Sequence, residues 1–573
     1  MLSGVLVTTS GLLALRTARP LVLRPEMFGR TGISAEADTA AWMALAREAS
    51  NRGADAGPVI VEASGDYRII GSELRFANTS DLTLRLSGAK FRQQSRLART
   101  ISFSDCAAVS VEGGEGHGLG RAGREYQGAV ASYNGVAFMY FEDCDSVSVK
   151  GSKGFGHAGG CFVVVGGRKR RFESCQTTGI GADRGGIPDP AVVADSDQRN
   201  GSDFGIMCVP NSRRPNPGWI FEDEFVNCRT RDSAFGIQTV QTRRCYGRGN
   251  HLGPHPGQHG VYGIELDGVD WQSNTFQDCA QLAFKNQLEN YAGRYFADPW
   301  KRGASFAVGD YVRYEMVLWE ATAPHVAGPV FDRSRFRIAS WNTRDAGVFS
   351  NNAVRNCLSG FAQIATPFTY GLNIVSTGWR LENNTIESSA GEALRLDRMT
   401  NCDVRNNTIA GAGGMGILAP DFSGSIVNNR ISATQASAIN LLPLGATRIE
   451  DNRFTNVGMG HGDEHAKTPF VNTGVSARDC PDRPPLVQVD LHRNTIVWEG
   501  PVGPGQRTAE PPARWLYLVA NPAVVLEISD LISDPASRRT FSVPAERTVR
   551  SSRRNSFIGF TDNLNTPLPI QRR

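Results

Sequence analysis

One short pattern recurs along the chain: an apolar residue, two spacers, then cysteine. It stands at Phe103–Cys106, Phe141–Cys144, Phe172–Cys175, Phe225–Cys228, Phe276–Cys279 and Val354–Cys357, and the residue before each cysteine is Asp, Asn or Ser. Further on the cysteine disappears but the step persists. Asn384-Thr385-Ile386, Asn407-Thr408-Ile409, Asn429-Arg430-Ile431 and Asn452-Arg453-Phe454 follow one another at steps of 23, 22 and 23 residues. A step of that size suits one coil of a solenoid with three short strands and three turns. No 3.6-residue apolar period accompanies it, which excludes helical repeats. The Asn pairs predict turns that tolerate left-handed backbone or carry side-chain ladders. Six of the eleven cysteines are expected to form one interior ladder of small buried side chains rather than disulfides.

A second strand is expected at a fixed offset. Eight residues after the anchors at 276, 354, 386, 409 and 431 come Phe284, Ala362, Leu394, Ile417 and Ile439, with Ile206, Ile237 and Ile264 as their equivalents in longer coils. If these point inward, the next residue in each coil points out. That outward column then reads Met207, Gln238, Glu265, Lys285, Gln363, Arg395, Leu418, Asn440, and the one after it Val209, Val240, Asp267, Gln287, Ala365, Asp397.

Upstream of the coils, an amphipathic helix is predicted from about Asp38 to Ser50, then a strand at Val59–Val61 and a turn at Gly65-Asp66-Tyr67. Together with Phe28-Gly29 and Asp38-Thr39-Ala40 this run resembles the entry of the pectate-lyase-like right-handed parallel β-helix superfamily, phage tailspikes included. The resemblance implies an all-β solenoid whose open end is capped by the helix, as bare strand edges require. The step from Phe276 to Val354 is far longer than one coil. Its surplus carries Trp300, Gly309-Asp310-Tyr311-Val312, Tyr314, Leu318-Trp319-Glu320-Ala321 and Trp341. This resembles the small chitin-binding-type carbohydrate-binding modules, which implies sugar contact by Trp319 and Tyr314. Such aromatics also serve as the core of a domain too small to have another. Trp300 and Trp341 are expected in that core, and Trp319 fits either role. The expected plan is an export-signal-like segment over 1–26, cap and solenoid over 27–294, the inserted module over 295–344, solenoid again over 345–500, and a C-terminal cap and tail over 501–573.

Composition narrows the function. A net charge of +4 over 573 residues does not point to nucleic acid. Leu2 to Leu15 is apolar and is followed by Arg16 and Arg19, which reads as an export segment too short and too interrupted for a membrane span. A secreted or periplasmic protein is expected, with no membrane insertion.

The candidate chemistry gathers where the outward columns turn polar. Glu265, Asp267, Lys285 and Gln238 are expected to converge, with Gln287 beside them and Arg395 and Asp397 two coils on. His259, at the end of the excursion HLGPHPGQH, and Asp232, before Phe235, are expected to overhang the patch. Pro254 and Pro256 forbid a helical metal-site spacing for the three histidines. His461, Asp463, Glu464 and His465 read as a polar loop. No metal or cofactor is expected.

Two mechanisms fit these residues, and a polysaccharide is the expected partner. Hydrolysis would use a carboxyl pair drawn from Glu265, Asp267 and Asp232. β-Elimination from a uronic acid would use Lys285 or Arg395 to neutralise the carboxylate and His259 or Lys285 as base. The Asn-Thr-Asp, Asp-Asp and Gly-His-Gly signature of polygalacturonases is absent, so the resemblance transfers no catalytic residue. A glycoside hydrolase is placed slightly ahead of a lyase, with a non-catalytic glycan-binding adhesin as the opposing class. Resemblance to tailspikes also makes a homotrimer an expectation.

Overall fold

Short β-branched and aromatic strands separated by tight turns stack here into parallel sheets. The computed structural model describes residues 20–573 except 53–56, 72, 96–97, 120–135, 158, 180–203, 212–221, 289–299, 315–316, 339–346, 366–374, 459–470, 473–486, 498, 500–513, 518–523, 530–531, 534–539, 543–548, 552–559, 562–570 and 573. Residues 1–19 of the export-signal-like segment, Trp341 and the His461–His465 cluster lie outside the described residues, while Leu21–Leu23 of that segment is a strand paired with Val59–Val61.

The chain has a right-handed parallel β-helix architecture. Each coil contributes a strand to three sheets. The first sheet contains β1 (Ile101–Ser104), β2 (Ala137–Glu142), β3 (Gly160–Val165), β4 (Phe204–Val209), β5 (Phe235–Val240), β6 (Val261–Ile264), β7 (Leu282–Leu288), β8 (Ser359–Ala365), β9 (Leu394–Leu396), β10 (Ile417–Val427) and β11 (Ile439–Glu450). These pair in order, all parallel. The second sheet includes Lys169–Glu173, Glu222–Val226 and Arg244–Arg248. The third includes His251–Leu252, Thr275–Gln277 and Ala353–Arg355.

The interior is a stack of aliphatic and aromatic side chains, because each inward position meets its equivalent one coil away. Phe76, Phe103 and Phe141 stack with centroids 5.6 and 4.7 Å apart. At the N-terminal end α1 (Ala35–Asn51) closes the solenoid. Its N-cap Ser34 Oγ accepts the Ala37 N–H, and Trp42, Leu45, Ala46 and Ala49 are buried. Trp42 packs edge-on against Tyr67 and Phe91.

The cysteine motif has a local cause. All six residues before the cysteines have left-handed backbone: Asp105, Asp143, Ser174, Asn227, Asp278 and Asn356, with φ between 52° and 54°. This is the corner conformation that Asn and Asp tolerate best, and the cysteine after it turns inward. The expected single ladder is corrected. Phe103 and Phe141 lie in the first sheet, Phe172 and Phe225 in the second, Phe276 and Val354 in the third. The cysteines therefore form three stacked pairs at three different corners. The ten described cysteines are all buried and free.

The Asn turns do form a ladder. Asn250, Asn274, Asn352, Asn384, Asn407, Asn429, Asn452 and Asn494 are linked in sequence, each Nδ2 donating to the next Oδ1 at 2.8–3.1 Å. Each also receives the preceding backbone N–H on that same oxygen. The rung from Asn274 to Asn352 bridges the surplus segment without interruption.

Arg168-Lys169-Arg170-Arg171 would suit a solvated turn, but Arg170 is fully buried and forks onto Asp223. Thr242 Oγ1 donates to the same carboxylate at 2.8 Å, and Thr239 bonds it as well. A buried ion pair persists only when its remaining hydrogen-bonding capacity is satisfied in this way.

Candidate functional site

The outward face of the first sheet follows from strand register. Ile237 pairs with Val261 and Val261 with Phe284, so these three point inward. The adjacent outward column is Tyr140, Val163, Met207, Gln238, Tyr262, Lys285, Ala362, Arg395, Leu418 and Asn440. Beyond it, Ile264 is followed by Gln287 and then Ile364, with Asp397 at the end of β9.

Two expected members are therefore misplaced. Glu265 does not face outward: it is the left-handed corner residue after β6, with φ 54°, and is fully buried. Asp267 lies in the turn beyond that corner, where its N–H bonds Thr242 O. The anchor of this coil is Leu252, which pairs with Phe276, and Val261 follows it after nine residues rather than eight. Reading Ile264 as the inward residue moved the column three places. Two coils on, Phe361 pairs with Phe284, so Ala362 points out and Gln363 points in.

Tyr262, which the sequence reading passed over, is the centre of the patch. Its ring stacks on Phe235 at 5.3 Å and packs against His259 at 5.3 Å. Lys285 Nζ stands 4.6 Å from the centroid of the Tyr262 ring, a cation–π geometry. The Tyr262 hydroxyl donates to Gln287 Oε1 at 3.2 Å. Gln238, one strand back, is 9% exposed, and its Oε1 has no hydrogen-bond partner. Gln238, Tyr262, Lys285 and Gln287 thus meet within about two strand spacings of roughly 4.8 Å.

His259 backs this patch without opening onto it. It is 2% exposed, and its Nδ1 accepts the Leu282 N–H at 3.1 Å. Burial, with the neighbouring Lys285 charge, holds it well below the usual histidine range. The ring is therefore neutral, and its proton is on Nε2. The other two histidines of the excursion go elsewhere. His251 lies in the third sheet, and His255 is buried against Thr230 and Ser233.

Arg395 and Asp397 form a second polar group on β9 and the residue after it. Arg395 Nε and Nη2 donate to the two Asp397 oxygens, each at 3.0 Å. Asp397 also accepts the Ala365 N–H at 3.1 Å. Burial pushes its carboxyl above the ordinary aspartate range, against the pull of Arg395.

Asp232 does not overhang Glu265. It is the left-handed corner before β5, and its Oδ2 stands 3.6 Å from Arg231 Nε. Glu265 follows the far end of β6. A six-residue strand at about 3.3 Å per residue separates these corners by roughly 20 Å, too far for a carboxyl pair, which needs about 5–9.5 Å. In the two outward columns, the described carboxylates are Glu142 and Asp397. They lie seven strand steps apart, roughly 34 Å.

The surplus segment folds as small antiparallel sheets. Tyr311–Tyr314 pairs with Val317–Ala321, which pairs with Phe336–Ile338. Trp319 is 8% exposed and packs with Val312, Ala321, Phe331 and Phe336. It is core rather than an open platform, because so small a unit has few other groups to bury. Tyr314 stacks on Phe331 at 4.1 Å and packs against Trp300, so its ring is engaged internally.

A family model described as "Periplasmic copper-binding protein (NosD)" matches residues 303–468. Among the described residues no group of three or more His, Cys, Asp or Glu is placed to hold a metal. Within the matched span, Cys357 and Cys402 are buried and His325 bonds Ala323 O. Among the described residues of the span no copper site is therefore assembled, and His461 and His465 lie outside the described residues. No curated protein matches the sequence. Among solved structures, the chain is similar to the periplasmic alginate epimerase AlgG (12% identity, 83% of this chain and 77% of that chain, TM-score 0.30). It is also similar to the A-module of the Azotobacter vinelandii mannuronan C-5 epimerase AlgE6 (13%, 89% and 99%, 0.32). A third is PfbA, a surface adhesin of Streptococcus pneumoniae (9%, 90% and 91%, 0.34). No described helix is long and apolar enough to cross a membrane.

Proposed function

We propose that the Gln238–Arg395 face binds an acidic polysaccharide and cleaves it by β-elimination. The observation that carries this is the placement of Lys285 over Tyr262, beside Gln287, on a face whose outward columns hold no adjacent carboxyl pair among the described residues. Hydrolysis needs two carboxyls flanking one bond. Elimination needs a cation on the uronate carboxylate and a group that moves protons.

In this reading the Lys285 ammonium binds the carboxylate and stabilises the charge that develops as the α-proton leaves. Tyr262 Oη, oriented by Gln287, takes that proton as phenolate. The electron pair forms the new C=C bond, the glycosidic C–O bond breaks, and the leaving oxygen receives a proton from the Tyr262 hydroxyl. His259 positions the Tyr262 ring. It does not serve as base, because its Nδ1 lone pair is already used by the Leu282 N–H. Secretion or a periplasmic location accords with such a substrate.

A polysaccharide panel tests this. Reducing ends together with unsaturated-uronate absorbance support elimination. Reducing ends without that absorbance would restore hydrolysis. Attachment with no shortening of any polymer would leave a glycan-binding protein.

A further inference from the structure

We infer that the three stacked cysteine pairs, Cys106–Cys144, Cys175–Cys228 and Cys279–Cys357, are oxidation sites, each closing to a disulfide that staples the base of a lengthened coil. The pairs span steps of 38, 53 and 78 residues, whereas the regular step of this solenoid is 22–24. The other described cysteines meet no cysteine on a neighbouring strand. Cys161 falls opposite Phe138 and Gly205, Cys208 pairs with Val164 and Thr239, Cys245 with Asp223 and Val269, and Cys402 with Gly424. Stacked cysteines thus stand where the chain departs farthest from the coil and returns. Two other lengthened steps, Asn352–Asn384 and Asn452–Asn494, carry asparagine rungs instead. A cross-link restricts the unfolded chain more, the longer the segment it closes, so a staple has most to contribute at the steps of 53 and 78 residues.

Both members of each pair follow a left-handed corner residue and turn inward. Backbone bonds fix the rungs: the Asp145 N–H donates to Cys106 O, the Arg229 N–H to Cys175 O and the Asp278 N–H to Arg355 O. Paired Cα atoms therefore stand one strand spacing apart, roughly 4.8 Å, within the roughly 4.4–6.8 Å that a disulfide spans. Bonded cysteines bring their Cβ atoms to about 3.5–4.5 Å, which a small tilt at the corner supplies. The two thiols of each pair already interact. Their remaining contacts are to backbone carbonyls at 3.3–3.8 Å, weak bonds that oppose the change little. In the first pair the Cys144 thiol holds Cys106 below the usual thiol range, which favours Cys106 as the attacking thiolate. All six side chains are at most 2% exposed, so the reaction takes place as the coils close during folding. The oxidant is a small-molecule disulfide or a disulfide-exchange protein of an exported compartment. One cysteine thiolate attacks the oxidant's S–S bond to give a mixed disulfide, and its partner, as thiolate, displaces the oxidant sulfur. One S–S bond forms and one breaks, and the two protons and two electrons leave on two oxidant thiols. Cys279 and Cys357 stand just before β7 and β8, so that staple ties the strand of Lys285 to its neighbour.

Cross-link mapping of the full chain tests this. The reduced, denatured protein is refolded in a buffer of reduced and oxidised glutathione, then alkylated in denaturant, digested without reduction and analysed by mass spectrometry. Six of the eleven cysteines should resist alkylation and appear as the three named cross-links, each lighter by one hydrogen per cysteine. The other five should be alkylated. Alkylation of all eleven overturns the inference, and so do cross-links that join any other pairs. Cys357→Ser should release Cys279 for alkylation and leave the other two cross-links in place. Loss of all three in that variant would show that the bonds form by scrambling rather than by stacking. If Cys357→Ser does not fold, the map of the unaltered chain still decides.

Discussion

The two halves of the first sheet share one backbone and differ in what they present outward. From β2 to β5 the outward side chains Tyr140, Val163, Val165, Phe204, Met207 and Phe235 are buried in one apolar cluster, with Glu142 and Val209 part-exposed. From β6 to β9 Tyr262, Lys285, Gln287 and Arg395 are part-exposed, while Ile264 and Ala362 beside them are buried. Pairing is parallel and in register throughout. The sheet geometry therefore does not make the site. A parallel coil fixes where each side chain points, and the outward chemistry of successive coils decides whether a face becomes a second core or a ligand surface.

The sharpest way to break this contrast is to truncate one residue on each side. Phe235→Ala removes a ring buried among Phe204, His259 and Tyr262, and should cost about 3–5 kcal/mol in denaturant unfolding. Lys285→Ala, on a part-exposed position, should change stability by no more than about 0.5 kcal/mol while abolishing turnover. Similar stability losses from both would show the polar half to be core as well.

Next in size is Tyr262→Phe. It keeps the stack on Phe235 and removes only the hydroxyl bonded to Gln287. Turnover should fall about a thousandfold, roughly 4 kcal/mol of barrier, with affinity for oligouronates within about threefold. Unchanged turnover would remove Tyr262 from the chemistry.

Acid probes the buried half. His157 and His255 are fully buried, and burial holds each at about 4 against an ordinary value of about 6.5. Their folded values are depressed, so the unfolded state binds more protons between those limits. Stability is complete above pH 6.5 and is lost as pH falls toward 4, on the order of 3 kcal/mol for each histidine. His157 stacks on Phe138 and its Nε2 has no partner, so His157→Phe should fill the same space and remove its share. Unfolding free energy measured against pH should then lose about one proton of slope. An unchanged slope would place that ring in contact with water.

These tests also mark what was legible in the sequence. The coil step and the inward hydrophobics were, because a solenoid repeats its own geometry. The corner motif was visible too, but not its location: left-handed backbone followed by a buried thiol is favourable at any of the three corners, so Phe103, Phe172 and Phe276 look alike and belong to different sheets. The site was only half legible. Lys285 and Arg395 come one place after Phe284 and Leu394, which follow their anchors at the common offset of eight. Val261 follows Leu252 at nine, and Phe361 follows Val354 at seven. Val261 and Ile264 are equally apolar, and nothing local distinguishes the inward one. The pairing partner settles it, and with it the exchange of Glu265 for Tyr262. Trp319 was undecidable for a different reason, since a flat aromatic suits a sugar and a very small core equally well.

The smallest expected effect concerns residues 295–344, which leave the solenoid after β7, the strand carrying Lys285 and Gln287. Replacing them with a short Gly/Ser linker should leave the thermal unfolding of the solenoid nearly unchanged. The reason is in the interior rather than in the loop. Asn274 donates to Asn352 across the excursion, Phe276 pairs with Val354, and Phe284 stacks on Phe361 at 5.6 Å. The coil is therefore continuous without the segment. Lengthening or shortening a connection changes closure entropy by only about 0.6 kcal/mol per doubling. The segment keeps its own core of Val312, Trp319, Phe331 and Phe336, so its loss removes little that the solenoid buries. If it contacts the glycan, its removal will appear as weaker binding of uronate chains with the solenoid's stability unchanged. A large drop in melting temperature would show instead that the polar half of the sheet leans on this segment, as the apolar half depends on its own buried face.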